Sequence, residues 1–295
     1  MSEQLPPVRL VSVVMPAHDA EATIATQLAA LNCQTYPGEW EVIVVENGSK
    51  DGTRALLRSW QQRTSRLRVV HATAGCGVNR ARNIGCHQAR GELVLCCDAD
   101  DVAAPGWMAG LVDALRTSPA AGGALERRKL NSWLALAARP PKESDALLDT
   151  FAFLPYPAGA NCGFRKELWH RLGGFDESYR YGGDDVEFFW RAQLAGYRLA
   201  FAPDAVVHYR LRAEPRAIIR QFYRYGRSHP QLYRDFAGRG MPRSRPTDVA
   251  RAWWRLLNRL ADLVGPADRR VALLAQLAMR VGRVVGSARC RRCYL

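Results

Sequence analysis

Short apolar runs alternate with amphipathic segments over the first hundred residues of the chain. The runs are rich in β-branched residues, which is typical of strands buried on both faces of a parallel sheet. Strands are predicted at 10–15, 40–45, 67–70 and 92–96. Helices are predicted at 20–31, where Ile24, Leu28 and Leu31 share one face, and at 53–62. This alternation predicts a doubly wound α/β sheet, in which ligands bind beyond the carboxyl ends of the strands.

The pattern is less regular after the fourth predicted strand and recovers in the second half of the chain. Helices are predicted at 106–115 and 184–195, and two short strands at 198–202 and 205–209. Beyond Glu214 the sequence becomes helical and basic. We therefore expect an α/β domain that is followed by a helical extension.

Positive charge is concentrated in that extension. The chain has 42 Lys and Arg against 28 Asp and Glu, and ten Arg and two Asp after residue 250 provide +8 of its net charge of +14. An apolar stripe runs beside these Arg and consists of Trp253, Leu256, Leu257, Leu260 and Val264. A second such segment covers 271–285. Basic amphipathic helices bind anionic membranes, and packing on the α/β domain with Arg facing water is an equally good interpretation.

The N-terminus shows no export signal, and no run of about 20 uninterrupted apolar residues would span a bilayer. The eight Cys are scattered and lie mostly in apolar runs, so reduced thiols are expected rather than disulfides. Cys290 and Cys293 have the spacing of half a zinc site, but no second ligand pair stands near them, and their role is left open. These features predict a cytoplasmic protein, or one that lies peripherally on the inner face of the cell membrane.

Acidic residues follow the predicted strands at their carboxyl ends. Asp19 follows the first strand and Glu46 the second, whereas Asp98, Asp100 and Asp101 follow the fourth. Because these strand ends meet at one edge of a parallel sheet, we expect the carboxylates to converge. Three carboxylates so close together repel one another unless a cation lies among them, and Mg²⁺ or Mn²⁺ prefers such oxygens and also binds diphosphate. A solvated acidic turn is the alternative interpretation.

The loop that begins at Glu46 supplies short hydrogen-bond acceptors, two Gly and a helix start. Glu46 is able to accept a hydrogen bond from a nucleobase, and Asp51 or Thr53 is expected to cap the following helix. The Asn-Gly and Asp-Gly pairs in this loop form turns equally well without any ligand. The loop by itself therefore leaves both readings open.

A second pair of carboxylates, Asp184 and Asp185, follows two Gly at the start of a predicted helix. One of the pair is expected to cap the helix, and the other is a candidate general base that accepts a proton from an attacking hydroxyl. His208 ends the last predicted strand and is a candidate third metal ligand, although a lone His there is more often structural or exposed.

The order of six segments resembles that of the family 2 glycosyltransferases, which are inverting enzymes with the A-type nucleotide-sugar fold. The segments are 11–19, 44–53, 81–85, 98–101, 173–177 and 183–185. The resemblance implies a Rossmann-like, mostly parallel sheet with flanking helices. The implied domains are a catalytic domain at 1–213, with a nucleotide-binding half at about 9–101 and an acceptor half at about 102–213, and a basic amphipathic helical extension at 214–295.

The resemblance also implies roles for individual residues. The implied donor-binding residues are Pro16, Ala17, Asp19, Glu46, Arg82 and Asp98, with Glu46 facing the base and Arg82 approaching the phosphates or the sugar. Asp100 would hold Mn²⁺ or Mg²⁺, and Asp185 would be the catalytic base, with Asp184 as the second candidate. Two positions depart from the usual pattern: Glu46-Asn47 stands in place of Asp-Asp, and Asp184-Asp185 in place of Glu-Asp.

The resulting hypothesis is an inverting glycosyltransferase that transfers a sugar from a nucleoside diphosphate sugar, with UDP-sugar as the expected donor, to an acceptor hydroxyl. The acceptor would be a saccharide, a lipid-linked molecule or a small molecule, and an anionic membrane surface is a further expected partner. A nucleotidyltransferase is one alternative, but it requires a Gly-rich basic loop after the first strand, which 16–19 does not provide. A protein that binds nucleic acid or membrane through the basic helices is another. Nucleic acid is the less favoured partner because the converging acids would repel its phosphates.

Overall fold

In the computed structural model, which describes residues 8–72, 77–141 and 145–295, the described chain is built around one mixed sheet. Its strands are β1 Leu10–Ala17, β2 Glu39–Glu46, β3 Leu67–His71, β4 Leu93–Cys97, β5 Val102–Ala103, β6 Ala120–Glu126, β7 Asn161–Arg165 and β8 Leu199–His208. Their order across the sheet is β3-β2-β1-β4-β7-β6-β8-β5. The first four strands are parallel, whereas β7 runs antiparallel to β4 and β6.

The first four strands confirm the prediction from the apolar runs. In β1, Val11, Val13 and Met15 enter one hydrophobic core, whereas Val14 enters a second one. This division follows from the pleat, which points successive side chains to opposite faces of the sheet. Both faces are therefore covered, as expected for a doubly wound sheet.

The helices that cover the sheet and continue beyond it are α1 Ile24–Asn32, α2 Thr53–Gln61, α3 Gly77–Gln88, α4 Trp107–Ala114, α5 Trp133–Ala138, α6 Lys166–Leu172, α7 Asp184–Leu194, α8 Pro215–Phe236, α9 Pro246–Leu257 and α10 Ala267–Cys290. Ile24 of α1 and Leu111 of α4 lie in the first core, and Ala81 of α3 and Phe188 of α7 lie in the second. The four predicted helices correspond to α1, α2, α4 and α7 and are confirmed.

The prediction of two short strands between 198 and 209 is wrong, because these residues form the single strand β8. The pairing of β8 with β6 shifts its register between Gly123 and Ala124, which marks a bulge. The side-chain amide of Asn161 donates to the carbonyl oxygens of Ala124 and Ala205, both at 2.8 Å. These hydrogen bonds satisfy backbone acceptors where the ladder is interrupted, so the strand continues through the bulge.

The sequence pattern also missed α3 and the strands β5, β6 and β7. β6 has the sequence AAGGALE, and Ala and Gly have low strand propensity. It is a strand because β7 and β8 pair with it on its two sides. Tertiary pairing, not local preference, therefore decides the structure of this part of the chain.

The described Cys residues are free thiols, as predicted, and Cys76 lies outside the described residues. Cys86, Cys96, Cys97 and Cys162 are buried. The prediction of reduced thiols in a core is confirmed for these four.

Helix α10 packs so closely on α8 that Gly is required where they touch. A Cβ on Gly226 of α8 would lie 2.1 Å from the carbonyl oxygen of Met279. A Cβ on Gly282 of α10 would lie 2.3 Å from the carbonyl oxygen of Tyr223. A small apolar cluster joins these two helices to α5 and contains Ala138, Ile218, Val271 and Ala275. Part of the basic extension therefore packs on the remainder of the chain.

Helix α10 is also long and apolar enough to cross a membrane, by length and composition only. It has 24 residues and a mean hydropathy of 1.3 in its most apolar window. No uninterrupted apolar run predicted this helix, because Arg280 and Arg283 interrupt its apolar sequence. A third of the window, 33%, is buried within the protein, and core helices of soluble proteins pass the same test. This criterion alone is weak support for a membrane span.

The contact between α8 and α10 gives a stability prediction. Gly226→Ala is expected to lower the free energy of unfolding by about 1–3 kcal/mol, because its Cβ would overlap backbone that cannot move aside easily. Gly238→Ala is the matched control, since a Cβ there meets nothing within 4 Å. Urea denaturation of both variants measures the difference. Equal stability of the two would contradict the close packing of α8 and α10.

Candidate active site

The loops that follow β1 and β2 are bound to each other at the carboxyl edge of the sheet. The Lys50 N–H donates to Oδ1 of Asp19 at 2.7 Å, and the Asp19 N–H donates to the Ser49 hydroxyl at 3.1 Å. The Asn47 N–H donates to the Ala17 carbonyl oxygen at 2.9 Å. The predicted donor residues at the end of β1, which include Pro16, therefore lie beside the loop that begins at Glu46.

Glu46 is fully buried and organises that loop. The Ser49 N–H donates to its carboxylate, and Arg54 Nε lies 2.9 Å and His71 Nδ1 3.2 Å from its Oε2. Burial disfavours the charged form, but these hydrogen bonds outweigh burial and lower the pKa of Glu46 to about 2. Its oxygens thus stabilise the loop, and its recognition of the base stays a prediction. Gly52, not Asp51 or Thr53, is the N-cap residue of α2; Asp51 precedes it and accepts from the Thr53 N–H at 3.0 Å.

Three carboxylates converge after β4, as predicted. Asp98, Asp100 and Asp101 each offer an oxygen, and these oxygens lie within 4.8 Å of one another. Burial and the neighbouring charges raise the pKa of Asp98 to about 6 and that of Asp101 well above its usual range. Oδ2 of Asp101 is buried and has no hydrogen-bond partner among the described residues. Close and partly unpartnered carboxylate oxygens are the donor set that a divalent cation prefers, so these residues fit Mn²⁺ or Mg²⁺.

His208 contacts residues outside the acidic cluster. Its Nδ1 lies 2.9 Å from Oε2 of Glu126, and its Nε2 lies 3.3 Å from Nζ of Lys129. The strand ladder places His208 opposite Val102, which directly follows Asp101 in the sequence. Both ring nitrogens thus have partners, and the role of His208 as a metal ligand stays a prediction.

Arg82 joins the two acidic segments of the site. Its guanidinium contacts Asp184 through Nη1 and lies 3.3 Å from Oδ1 of Asp98 through Nη2. The Arg82 side chain is buried, and its two carboxylate partners compensate the burial of its charge. The contact of Arg82 with the donor phosphates or the sugar stays a prediction; in the structure Arg82 holds Asp184 beside the acidic cluster.

The same contact distinguishes the two candidate bases at the start of α7. Asp184 is paired with Arg82, whereas Asp185 forms no ion pair with the described residues. Asp185 accepts from the Gly159 N–H at 2.9 Å and keeps part of its surface open. Gly183 before the helix has φ of +81°, a conformation that favours Gly and turns the chain into α7. Asp185 is therefore the carboxylate better placed to accept a proton.

Two Arg of this site were missed by sequence analysis. Arg210 donates from its backbone N–H to Oδ1 of Asp101 at 2.6 Å, and Arg212 Nη1 lies 3.3 Å from Oδ2 of Asp100. Both directly follow the strand that ends at His208. The two Arg lie two residues apart just after the end of a strand, and this spacing is the feature of the sequence that could have identified them.

The sequence matches the family described as Glycosyl transferase family 2 over residues 12–173. The chain belongs to glycosyltransferase family 2. A second match, to Glycosyl transferase family group 2, covers residues 145–281. This glycosyltransferase therefore has the A-type fold that the motif order implied and acts on nucleotide sugars.

Individual relatives agree with this assignment. The glycosyltransferase is 28% identical to glycosyltransferase AglE of Haloferax volcanii over 236 residues, which cover 79% of this chain and 76% of AglE. It is 31% identical over 129 residues to the undecaprenyl-phosphate 4-deoxy-4-formamido-L-arabinose transferase of Aeromonas hydrophila, covering 43% of this chain and 40% of that enzyme.

Two solved structures share the fold of this glycosyltransferase. The mannosyltransferase PcManGT from Pyrobaculum calidifontis, in complex with GDP-Man and Mn²⁺, superimposes with a TM-score of 0.64 at 22% identity, covering 94% of this chain and 87% of PcManGT. TarS 1-349 of S. aureus, in complex with UDP, superimposes with a TM-score of 0.53 at 17% identity, covering 96% and 92% of the respective chains. At this level of identity the likeness shows the fold.

The position of Asp185 predicts an acid limb in the pH profile of this glycosyltransferase. Burial, together with the charge of Asp184, raises the pKa of Asp185 to about 6. A general base must be ionised, so kcat/KM for the acceptor is expected to rise with pH through about 6 and to fall roughly tenfold per unit below it. Initial rates at saturating donor and Mn²⁺ between pH 4.5 and 8 test this. A limb near the ordinary Asp value of about 4 would contradict the role of Asp185.

Proposed function

We propose that this glycosyltransferase moves a sugar from a nucleoside diphosphate donor to an acceptor hydroxyl in one displacement, with Asp185 as the general base. The observation that carries the proposal is the partly exposed carboxylate of Asp185, which forms no ion pair among the described residues. Its sequence neighbour Asp184 contacts Arg82, and Arg82 lies beside Asp98 of the acidic cluster. A base and a diphosphate-binding centre on opposite sides of one cleft are what such a displacement requires.

The residues of the chain divide the chemistry between them. The donor would lie at the carboxyl ends of β1, β2 and β4, where the loops of Asp19 and Glu46 meet. Asp98, Asp100 and Asp101 would hold Mn²⁺ or Mg²⁺, which when bound neutralises charge on the departing diphosphate.

Asp185 would take the proton of the acceptor hydroxyl while the hydroxyl oxygen attacks the anomeric carbon of the sugar. The bond to the nucleoside diphosphate breaks on the opposite face, so the anomeric configuration inverts without a covalent sugar intermediate. The N–H of Gly159 holds the Asp185 carboxylate in place for this step.

The donor is tested with a panel of sugar nucleotides. UDP-sugar is the first candidate from the motif pattern, and GDP-sugar is included because PcManGT was solved with GDP-Man. Release of nucleotide from UDP-, GDP- and dTDP-sugars is measured with Mn²⁺ and with EDTA, in the absence of acceptor. We expect release from one donor class and its loss in EDTA. Failure of every sugar nucleotide both to react and to bind would overturn the proposal.

We also propose that the acceptor is lipid-linked and that the extension docks on an anionic membrane. Of the twelve large apolar side chains that are exposed among the described residues, eight lie between Trp254 and Val284. Trp254 is 63% and Val264 92% exposed. Exposed Arg251 and Arg255 flank them on α9, and Arg beside exposed apolar residues favours an anionic bilayer. The name of the Aeromonas hydrophila relative includes undecaprenyl phosphate, which supports a lipid-linked acceptor here.

Vesicle co-sedimentation tests the docking. Binding to vesicles that contain phosphatidylglycerol is expected, with much weaker binding to phosphatidylcholine alone. A Trp254→Ser and Val264→Ser double variant is expected to lose most of this binding. Leu194→Ser is the matched control, because Leu194 is a 40% exposed apolar residue on α7 outside the extension. Equal binding of the double variant and the control would contradict the docking surface.

A further inference from the structure

A segment without helix or strand leads from α6 to the proposed base, and it covers residues 173–183. We call it the base-entry segment. Its backbone enters α7 through Gly182 and Gly183, whose φ angles are +111° and +81°. Asp184 and Asp185 belong to the first turn of α7, so the path of this segment sets the direction in which both carboxylates leave the backbone.

The beginning of the base-entry segment is bound to α3. The side-chain amide of Asn83 donates to the Phe175 carbonyl oxygen at 2.9 Å and accepts from the Phe175 N–H at 2.8 Å. The same helix carries Arg82, which contacts Asp184. One helix therefore holds both the beginning of the segment and the first carboxylate that follows it.

The Tyr179 hydroxyl connects the middle of the segment to α8. It donates to Oδ2 of Asp235 at 2.7 Å, which is a short charge-assisted hydrogen bond. Tyr179 is 2% exposed, whereas Asp235 lies at the surface, where it also pairs with Arg234 at 2.7 Å. Burial, together with this hydrogen bond, raises the pKa of Tyr179, so the hydroxyl keeps its proton and remains the donor.

Helix α8 also covers the two Gly through which the segment enters α7. A Cβ on Gly182 would lie 2.7 Å from the ring of Tyr225. A Cβ on Gly183 would lie 3.2 Å from the side chain of Leu232. Because Tyr225, Leu232 and Asp235 are seven and then three residues apart, they share one face of α8. This face of the helix follows the base-entry segment from its middle to its end.

Helix α8 is itself held by α10. A Cβ on Gly286 of α10 would lie 2.7 Å from the carbonyl oxygen of Arg227. Nε of Arg283 donates to Nδ1 of His229 at 3.0 Å. Burial and the nearby Arg charges lower the pKa of His229, so its ring is neutral and accepts this hydrogen bond. The extension is therefore connected through α8 to the segment that precedes the base.

We propose that α8 positions the general base, and that Tyr179 and Asp235 are the positioning residues that connect the two. Their hydrogen bond keeps the base-entry segment on α8, and the segment holds the first turn of α7 where the Asp185 carboxylate accepts from the Gly159 N–H. The inference rests on the proposed role of Asp185 and deepens it, because it gives the extension a part in catalysis. A base must lie within hydrogen-bond distance of the proton that it accepts, so a small displacement of its carboxylate lowers the rate strongly.

Three variants test the hydrogen bond between the segment and α8. The reaction measured is Mn²⁺-dependent hydrolysis of the sugar nucleotide that the donor panel selects, with water in place of the acceptor. Tyr179→Phe keeps the buried ring, removes the hydroxyl and is expected to lower kcat roughly tenfold. Asp235→Ala is expected to have the same effect. Asp235→Asn is expected to restore most of the rate, because its side-chain oxygen still accepts from Tyr179. Calorimetry with the nucleotide and Mn²⁺ is expected to show unchanged donor affinity in all three.

The pH profile distinguishes positioning of the base from a general loss of stability. The titratable groups that face Asp185 are Asp184, Arg82, Tyr156, Cys162 and Tyr225. Burial is the main reason for the raised pKa of Asp185. A loosened base-entry segment admits water to this carboxylate, so the acid limb of kcat is expected to move to lower pH in Tyr179→Phe and Asp235→Ala. A protein that is merely less stable keeps its acid limb in place.

Tyr233→Phe is the matched control, since it removes a hydroxyl from another Tyr that lies on α8. The ring of Tyr233 stacks on Tyr294, with 5.2 Å between the ring centres. This variant is expected to keep both kcat and the acid limb of the unaltered protein. If Tyr179→Phe does not fold, Asp235→Ala decides, because Asp235 lies at the surface.

Unchanged kcat in Tyr179→Phe and Asp235→Ala would overturn the proposal. A lower rate with an acid limb that stays in place would also overturn it, since the two residues would then only stabilise the fold. Equal losses in Asp235→Asn and Asp235→Ala would exclude the hydrogen bond as the connection.

Failure of the proposed function is recognised on the unaltered protein. In that case it neither binds nor hydrolyses a sugar nucleotide, and the positioning role fails with it. A protein that hydrolyses the donor, and whose variants at Tyr179 and Asp235 do so equally well, keeps the proposed function and refutes the positioning role alone.

Discussion

Replacing Asp185 with Asn is expected to reduce kcat for sugar transfer by roughly 10²–10⁴-fold, the usual contribution of a general base. Asn has the same shape and still accepts a hydrogen bond from the Gly159 N–H, so the local structure should be kept. An amide does not accept a proton at neutral pH, so the attacking hydroxyl stays protonated. Steady-state transfer assays give kcat, and calorimetry with the donor nucleotide is expected to show unchanged affinity.

The neighbouring variant Asp184→Asn separates the two candidate bases. Asp184 contacts the buried Arg82, so its replacement leaves that guanidinium with Asp98 as its remaining carboxylate partner. We expect Asp184→Asn to lower the melting temperature and the donor affinity, whereas Asp185→Asn changes neither. The assignment would be refuted if Asp185→Asn kept a normal kcat while Asp184→Asn abolished it at unchanged stability.

Replacing Asp100 with Ala is expected to remove the dependence of the reaction on metal. A bound cation stabilises the departing diphosphate by roughly several kcal/mol. Since each 1.4 kcal/mol corresponds to about tenfold in rate, kcat/KM should fall by at least about a hundredfold. The residual rate of the variant should be the same with Mn²⁺ and with EDTA. Rates of donor hydrolysis under both conditions provide the measurement.

Asp113→Asn is the matched control for this experiment. Asp113 is an acidic residue of α4 whose side chain is 85% exposed and lies 3.7 Å from Arg116. Exposed ion pairs contribute little, so this variant should keep the full response to Mn²⁺. Retention of that response by Asp100→Ala would show that the acidic cluster does not hold the metal.

Much of the structure up to the end of β4 could be predicted from the sequence. The runs at 10–15 and 40–45 are apolar and β-branched, and they became β1 and β2 with ends shifted by no more than two residues. The prediction that acids after β4 converge also followed from local information, because a strand fixes where the next residue emerges. The helix at Asp184 was visible from its Gly-Gly-Asp-Asp start.

The structure after β4 was less predictable because its elements depend on partners that are distant in the sequence. β6 is rich in Ala and Gly and becomes a strand through pairing with β7 and β8. The sequence pattern predicted two strands where the structure has β8. Hydrogen bonds from Asn161, which is distant in the sequence, allow β8 to continue through the bulge.

The sequence by itself determined the family, the first four strands and the carboxylates at their ends, because those signals act over a few residues. Only the tertiary structure decided that Arg82 contacts Asp184, 102 residues away, which leaves Asp185 without an ion pair among the described residues. It also placed His208 beside Glu126. The physical reason is that pairing of charges is a long-range property: it depends on the antiparallel insertion of β7 between β4 and β6, which local propensities do not encode.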